Sequence, residues 1–265
     1  MSNETPSAQA LAETTAELIE LLRLRTLPVG MKLFEDLDEM HAVPGLRTPQ
    51  EGKRFGTCQL VTQSRIGGFT LGIVSDNVLP RSNCAAVPGI GALGEEYTSG
   101  RKMGGVWFKD EEEARKHQEQ MVRVEAGRYK GLVVSPLRSA RLDPPDIVLF
   151  YGTPGQMILF VNGFQHGHYE RLEFSVTGES ACSDSWGRAL ATRKASLSIP
   201  CYAERRYGGV ADDELLMALT PADLVRSVEG LKALHKTGLR YPILPYGSAI
   251  DPAQGLEKSY GARKE

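Results

Sequence analysis

Several familiar signatures are missing from this sequence. It holds no C-x-x-C, so zinc ribbons and ferredoxin-type runs are excluded as patterns. It has no G-x-S-x-G and no G-x-x-x-x-G-K-[ST], which removes the signatures of serine hydrolases and P-loop enzymes. No apolar run approaches the about 20 residues that a spanning helix needs. The most apolar segment, DIVLFYGTPGQMILFVNGF, is broken by Gly152, Pro154 and Gly155. The opening MSNETPSAQALAETTAEL lacks the basic and apolar regions of a signal peptide. Neither charge sign dominates: 31 Lys and Arg face 33 Asp and Glu, for a net charge of -2. No global field therefore points to nucleic acid or an anionic membrane as partner. These absences predict a soluble, cytoplasmic protein whose partner is a small molecule. A homo-oligomer stays open.

Low-complexity tracts, solenoid periods and Pro/Ser/Gly linkers are also lacking, so residues 1–265 read as one domain. Apolar spacing and capping residues predict helices over 7–25, 56–68, 110–127, 153–165, 179–195 and 220–238. Strands are expected over 27–36, 69–75, 130–137, 146–152, 171–178 and 214–219, with a strand end at 196–201. Residues 37–53 read as a loop, and 246–265 as a surface tail. Thr57 is the expected N-cap of the second helix. This mixed order predicts a single compact α+β (mixed α/β) domain.

What is present is four cysteines: Cys58, Cys84, Cys182 and Cys201. Each lies at a helix start or a strand end. In a reducing compartment such cysteines suit metal binding or catalysis better than disulfides. A helix N-terminus favours the thiolate that a metal needs. The order also hints at two weakly similar Cys–helix–strand–Cys units, one from Cys58 to Cys84 and one from Cys182 to Cys201. Four thiolates are the count for a [4Fe-4S] or [2Fe-2S] cluster, and equally for structural zinc. Spacing alone does not choose among these, nor against four core thiols.

Other candidates are weaker. Gly89, Gly91 and Gly94 spell G-x-G-x-x-G, but no strand precedes them, so a dinucleotide fold is not expected. These glycines would instead let the backbone approach something closely, such as a cofactor beside Cys84. His166 and His168 read as a surface turn. Glu179 and Glu204 lie within three residues of a cysteine and are candidate acid–base groups. Arg205 and Arg206 follow Cys201, and arginine binds carboxylates or phosphates.

Taken in order, LPVGMKLF, CQLVTQSRIGG, NCAAVPGIGALG, GLVVSPL, DIVLFYGTPGQMILFVNGF, GESAC and IPCYAERRYGG…DDELLMAL resemble the ArCR family, domain of unknown function 169. The resemblance spans about residues 18 to 245. The family strings fall on Cys58-Gln59, on Cys84 with Gly91-Ala92-Leu93-Gly94, on Ser180 with Cys182, and on Pro200-Cys201 with Arg205. Ala85 and Ala181 depart from the family pattern. The resemblance implies that all four cysteines sit on family positions. It favours a shared thiolate site and hence a [4Fe-4S] cluster, with zinc as the alternative. The expectation is an iron–sulfur redox enzyme served by an electron-transfer partner. It acts on a small substrate, anionic or neutral, held by Glu179, Glu204, Arg205 and Arg206. Two alternatives stay open: an iron–sulfur hydratase or lyase, and a metal-free binding or regulatory module with core cysteines.

Overall fold

In a computed structural model of the chain, residues 5–172 and 174–244 are described. The tail expected at 246–265 lies outside them. Seven strands form one sheet: β1 (Val29–Phe34), β2 (Leu46–Arg47), β3 (Thr70–Val74), β4 (Gly131–Pro136), β5 (Ile147–Gly152), β6 (Ser196–Ser198) and β7 (Leu215–Leu219). Their order is β2-β3-β4-β1-β5-β7-β6. Every pairing is antiparallel except β2 with β3. Strands β4 and β5 are buried along their whole length, which explains their unbroken apolar runs.

Helices cover both faces. On one, α1 (Ala8–Leu22), α7 (Pro154–His166) and α10 (Pro221–Lys236) bury Leu11, Leu18, Phe160 and Val228 against Val148, Phe150 and Met217. Helices α7 and α10 meet where Gly163 faces Gly230. A Cβ on Gly230 would come within 2.0 Å of the Gly163 carbonyl oxygen, so the backbones touch because neither residue has a side chain. A short helix, α2 (Leu37–His41), packs Met40 on the same sheet near Phe34 and Val133.

The other face carries α3 (Thr57–Gly67), α4 (Asn83–Ala86), α5 (Glu95–Thr98), α6 (Glu111–Gln120), α8 (Trp186–Thr192) and α9 (Tyr202–Arg206). Leu60 and Val61 of α3, Ala85 of α4, and Trp186 and Ala189 of α8 pack on Met31, Ile73, Leu149 and Leu216.

The topology divides into two equivalent halves. Each begins with one of the central strands, β1 or β5. A helix and an outer strand follow (α3 and β3, or α8 and β6). A short helix comes next (α4 or α9), and the chain returns as the strand between centre and edge (β4 or β7). A pseudo-twofold between β1 and β5 relates them. The two Cys–helix–strand–Cys units of the sequence correspond to these halves.

Four expected segments differ among the described residues. The strand at 171–178 is reduced to a single bridge between Phe174 and Leu197, and Phe174 and Val176 face solvent. The helix at 110–127 stops at Gln120, because Val122 donates to Ser183 Oγ at 2.8 Å and Val124 to the Val87 carbonyl at 3.0 Å. The helix at 179–195 begins only at Trp186. Ser180 sits at φ 55, and a 3-10 turn over Ala181–Ser183 precedes the helix. The loop at 37–53 also contains α2, capped by the Asp36 side chain, and the edge strand β2.

Candidate functional site

Each cysteine is placed by the start of a helical segment. Cys58 lies in the first turn of α3 and Cys84 in that of α4. Cys182 is in the 3-10 turn before α8, and Cys201 is the N-cap of α9. The cap of α3 is Gly56 rather than Thr57: Gln59 Oε1 accepts from the Gly56 N–H at 2.8 Å. Thr57 is freed for another task. Its hydroxyl donates to the Cys84 carbonyl at 2.8 Å and ties α3 to α4. Thr62 of α3 donates to the Gly208 carbonyl and ties α3 to the segment after α9. A Cβ on Gly208 would sit 3.4 Å from Cys58 Cβ, so this segment lies against the first cysteine.

All four cysteines line one cavity of about 400 Å³ at the seam between the two halves. A methyl on Gly56 would sit 3.4 Å from Cys84 Sγ and 3.5 Å from Cys58 Sγ, so both sulfurs border one point of the wall. The Cys182 thiol faces the Ser180 carbonyl at 3.6 Å. Trp186 lies deep in the wall, while Leu79 and Tyr207 are exposed and mark the mouth. The lining is mostly apolar, and among the described residues no lysine, arginine or histidine belongs to it.

Polar groups in this wall are incompletely satisfied. Asn83 Nδ2 donates to Ser180 Oγ at 2.9 Å, and Ser180 Oγ donates to Glu179 Oε1 at 3.1 Å. The Cys201 N–H donates to Glu204 Oε2 at 3.0 Å. Left without a partner among the described residues are Asn83 Oδ1, Glu179 Oε2, Trp186 Nε1 and Glu204 Oε1. Buried polar atoms are nearly always paired, so four unpaired ones around one cavity mark a place built for an occupant.

Burial controls the electrostatics. It pushes every cysteine thiol up, Cys201 to about 12, and neighbouring anionic groups, Glu204 prominent among them, add to the shift. The expectation that these thiols are lowered is corrected: burial is the largest influence on each and raises it. Burial likewise raises Glu179, and raises Glu204 to about 7. Four thiols and two carboxyls, with no cation among the described lining residues, suit a cationic group that would draw off the thiol protons.

The donor set fits an iron–sulfur cluster in chemistry. Among the described residues, no three His, Cys, Asp or Glu side chains are grouped to hold one metal ion. A four-iron cluster takes each thiolate on a different iron, so its ligands surround a space rather than a point. A lone tetrahedral zinc requires convergence.

The remaining sequence candidates divide. Glu179 and Glu204 line the cavity; Arg205 and Arg206 do not. Arg205 donates to the Ala211 carbonyl and lies 3.9 Å from Asp212. The Arg206 guanidinium is 3.5 Å from the Tyr202 hydroxyl and 5.9 Å from the Tyr207 ring centre. Gly89, Gly91 and Gly94 approach Glu125, Ala85 and Arg81, so their close contacts are with the protein's own chain rather than a cofactor. His166 and His168 are exposed. Gly56, Asn83, Tyr97 and Trp186 were not legible as site residues; no local pattern sets them apart.

No described helix is long and apolar enough to cross a membrane. No solved structure matches the chain. An uncharacterised protein of Methanocaldococcus jannaschii is 28% identical over 236 residues, covering 86% of this chain and 97% of that protein. The family model described as uncharacterised ArCR matches residues 17–230, a span that contains all four cysteines and both cavity glutamates. The chain therefore belongs to the ArCR family, domain of unknown function 169.

Proposed function

We propose that this chain is a soluble, cytoplasmic iron–sulfur protein of redox type that acts on a small substrate at the cysteine cavity. One observation carries the reading: four cysteines from four separate segments line a single cavity. Cys58, Cys84, Cys182 and Cys201 would hold a [4Fe-4S] cluster. When bound, such a cluster supplies one-electron transfer. Four thiolates close its coordination, which favours redox work over the hydratase or lyase alternative. The electrons would come from a low-potential carrier protein.

The chain's own residues suggest the rest. Glu179 and Glu204 face the cavity with carboxyl groups raised by burial, and each can hand a proton to a substrate being reduced. Without a cation in the wall, the cavity suits a neutral substrate better than an anionic one. The earlier roles for Arg205 and Arg206 in substrate binding therefore lose their support.

Anaerobic purification followed by iron and acid-labile sulfide analysis tests the proposal. The expected protein is brown, with about four irons and four sulfides per chain. Cys201→Ser should lose the iron. Colourless protein without iron after anaerobic expression would overturn the proposal in favour of a metal-free module. About one zinc per chain would overturn it in favour of a structural zinc site.

A further inference from the structure

We infer that a second cleft, on the other side of α3, is a binding site for a small organic anion: a phosphate or carboxylate carried on a flat ring. The cleft measures about 410 Å³ and lies beside the edge strand β2. Helix α3 separates it from the cysteine cavity. Cys58 and Gln59 line one, and Leu60 and Gln63 the other.

Two cations project here, Arg47 and Lys53, and no acidic residue lines the cleft among the described residues. Arg47 stacks its guanidinium over the Phe69 ring at 4.5 Å. A stacked guanidinium keeps its N–H groups in the plane, free to donate to an oxyanion. The Phe69 ring can lie there only because residue 67 is glycine: a Cβ on Gly67 would come within 2.7 Å of it. Lys53 is presented by a turn in which its N–H donates to the Gln50 carbonyl at 2.9 Å, next to Gly52 at φ 73. Phe55 forms the apolar wall and is fixed by backbone bonds with Asn77 at 3.0 Å and Leu79 at 3.1 Å. Gln63 adds a neutral hydrogen-bonding group. Two cations without an ion-pair partner among the described residues, beside two phenyl rings, recognise an oxyanion and the flat body behind it. The cysteine cavity has the opposite character, so this inference stands independently of the iron–sulfur reading.

Calorimetric titration of the full-length protein with phenyl phosphate, benzoate, inorganic phosphate and benzamide tests it. Phenyl phosphate or benzoate should bind, and whichever binds tighter identifies the anion. The affinity should fall with added salt. Inorganic phosphate should bind more weakly than phenyl phosphate, and uncharged benzamide should give no signal. Arg47→Ala, Lys53→Gln and Phe69→Leu should each weaken binding about tenfold, the scale of one charge-assisted hydrogen bond or ring contact. These side chains are exposed, and circular dichroism should show each variant folded. Cys58→Ser should leave the affinity unchanged. The inference is overturned if neither aryl anion binds, if phenyl phosphate binds no better than phosphate, or if Arg47→Ala and Lys53→Gln bind like the parent. It is also overturned if folded Cys58→Ser loses binding, which would move the ligand to the cysteine cavity.

Discussion

The two cavities that flank α3 are nearly equal in volume and opposite in chemistry. One holds four thiols, two carboxyls and no cation; the other holds two cations, two phenyl rings and no carboxylate. The first is sunk between the two halves of the sheet, and its polar atoms are left partly unpaired. The second opens at a sheet edge, where water serves the side chains. Burial separates the two walls of one helix: desolvated thiols and carboxyls on one side, exposed cations and rings on the other.

The largest effect should come from the cysteines. Replacing Cys58 and Cys201 together by serine should abolish iron binding altogether while the anion cleft keeps its affinity. Iron analysis beside the phenyl phosphate titration checks both halves of that statement, and loss of both activities in a folded variant would erase the contrast.

A second break acts on the frame. Arg65, near the end of α3, is buried and pairs with Glu214 through two bonds of 3.0 and 3.1 Å. It also donates to the Gly209 carbonyl at 3.3 Å and lies 4.0 Å from the Tyr151 ring centre. Glu214→Ala strands that charge and should cost about 3–5 kcal/mol in denaturant unfolding. Arg47→Ala, at the exposed cleft, should stay within about 0.5 kcal/mol.

The third concerns pH. Glu204 is raised from 4.5 to about 7 in the folded protein, chiefly by burial. Between those values the native state holds a proton that the unfolded chain has released. The stability that Glu204 contributes to metal-free protein should therefore be fully present below about 4.5 and fall by at most about 3 kcal/mol as pH rises to about 7. Glu204→Gln should flatten that slope. A slope of opposite sign would show that the carboxyl is not desolvated. Phenyl phosphate binding should show no matching step from Glu204.

The smallest effect belongs to Gly56→Ala. The new methyl would make ordinary contacts with Cys84 Sγ and Cys58 Sγ, so the folding cost is that of alanine at an N-cap, about 1 kcal/mol. It narrows the space between two sulfurs, and iron should be lost faster to a chelator than from the parent.

Much of the frame was legible because its signals are local. Alternating or continuous apolar runs gave β1, β3, β4, β5 and β7. Thr153-Pro154 and Thr220-Pro221 marked the starts of α7 and α10 as capping and first-turn residues. The cysteine site was legible only as a set of family positions. Its four cysteines come from separate segments, and no spacing rule brings Cys58 to Cys182. Arg205 and Arg206 misled because sequence neighbours in the short helix α9 point in different directions: Glu204 goes inward and the arginines outward. The anion cleft was hidden inside the stretch read as a loop, since Arg47 and Lys53 acquire their aromatic neighbours only through the pairing of β2 with β3.

The pseudo-twofold has a consequence for assembly. The half that begins with β1 contributes Cys58 and Cys84, and the half that begins with β5 contributes Cys182 and Cys201. Neither half owns enough sulfur to complete the set. Bound iron would then act as a clasp closed from both sides, and its retention would register whether the two halves are docked.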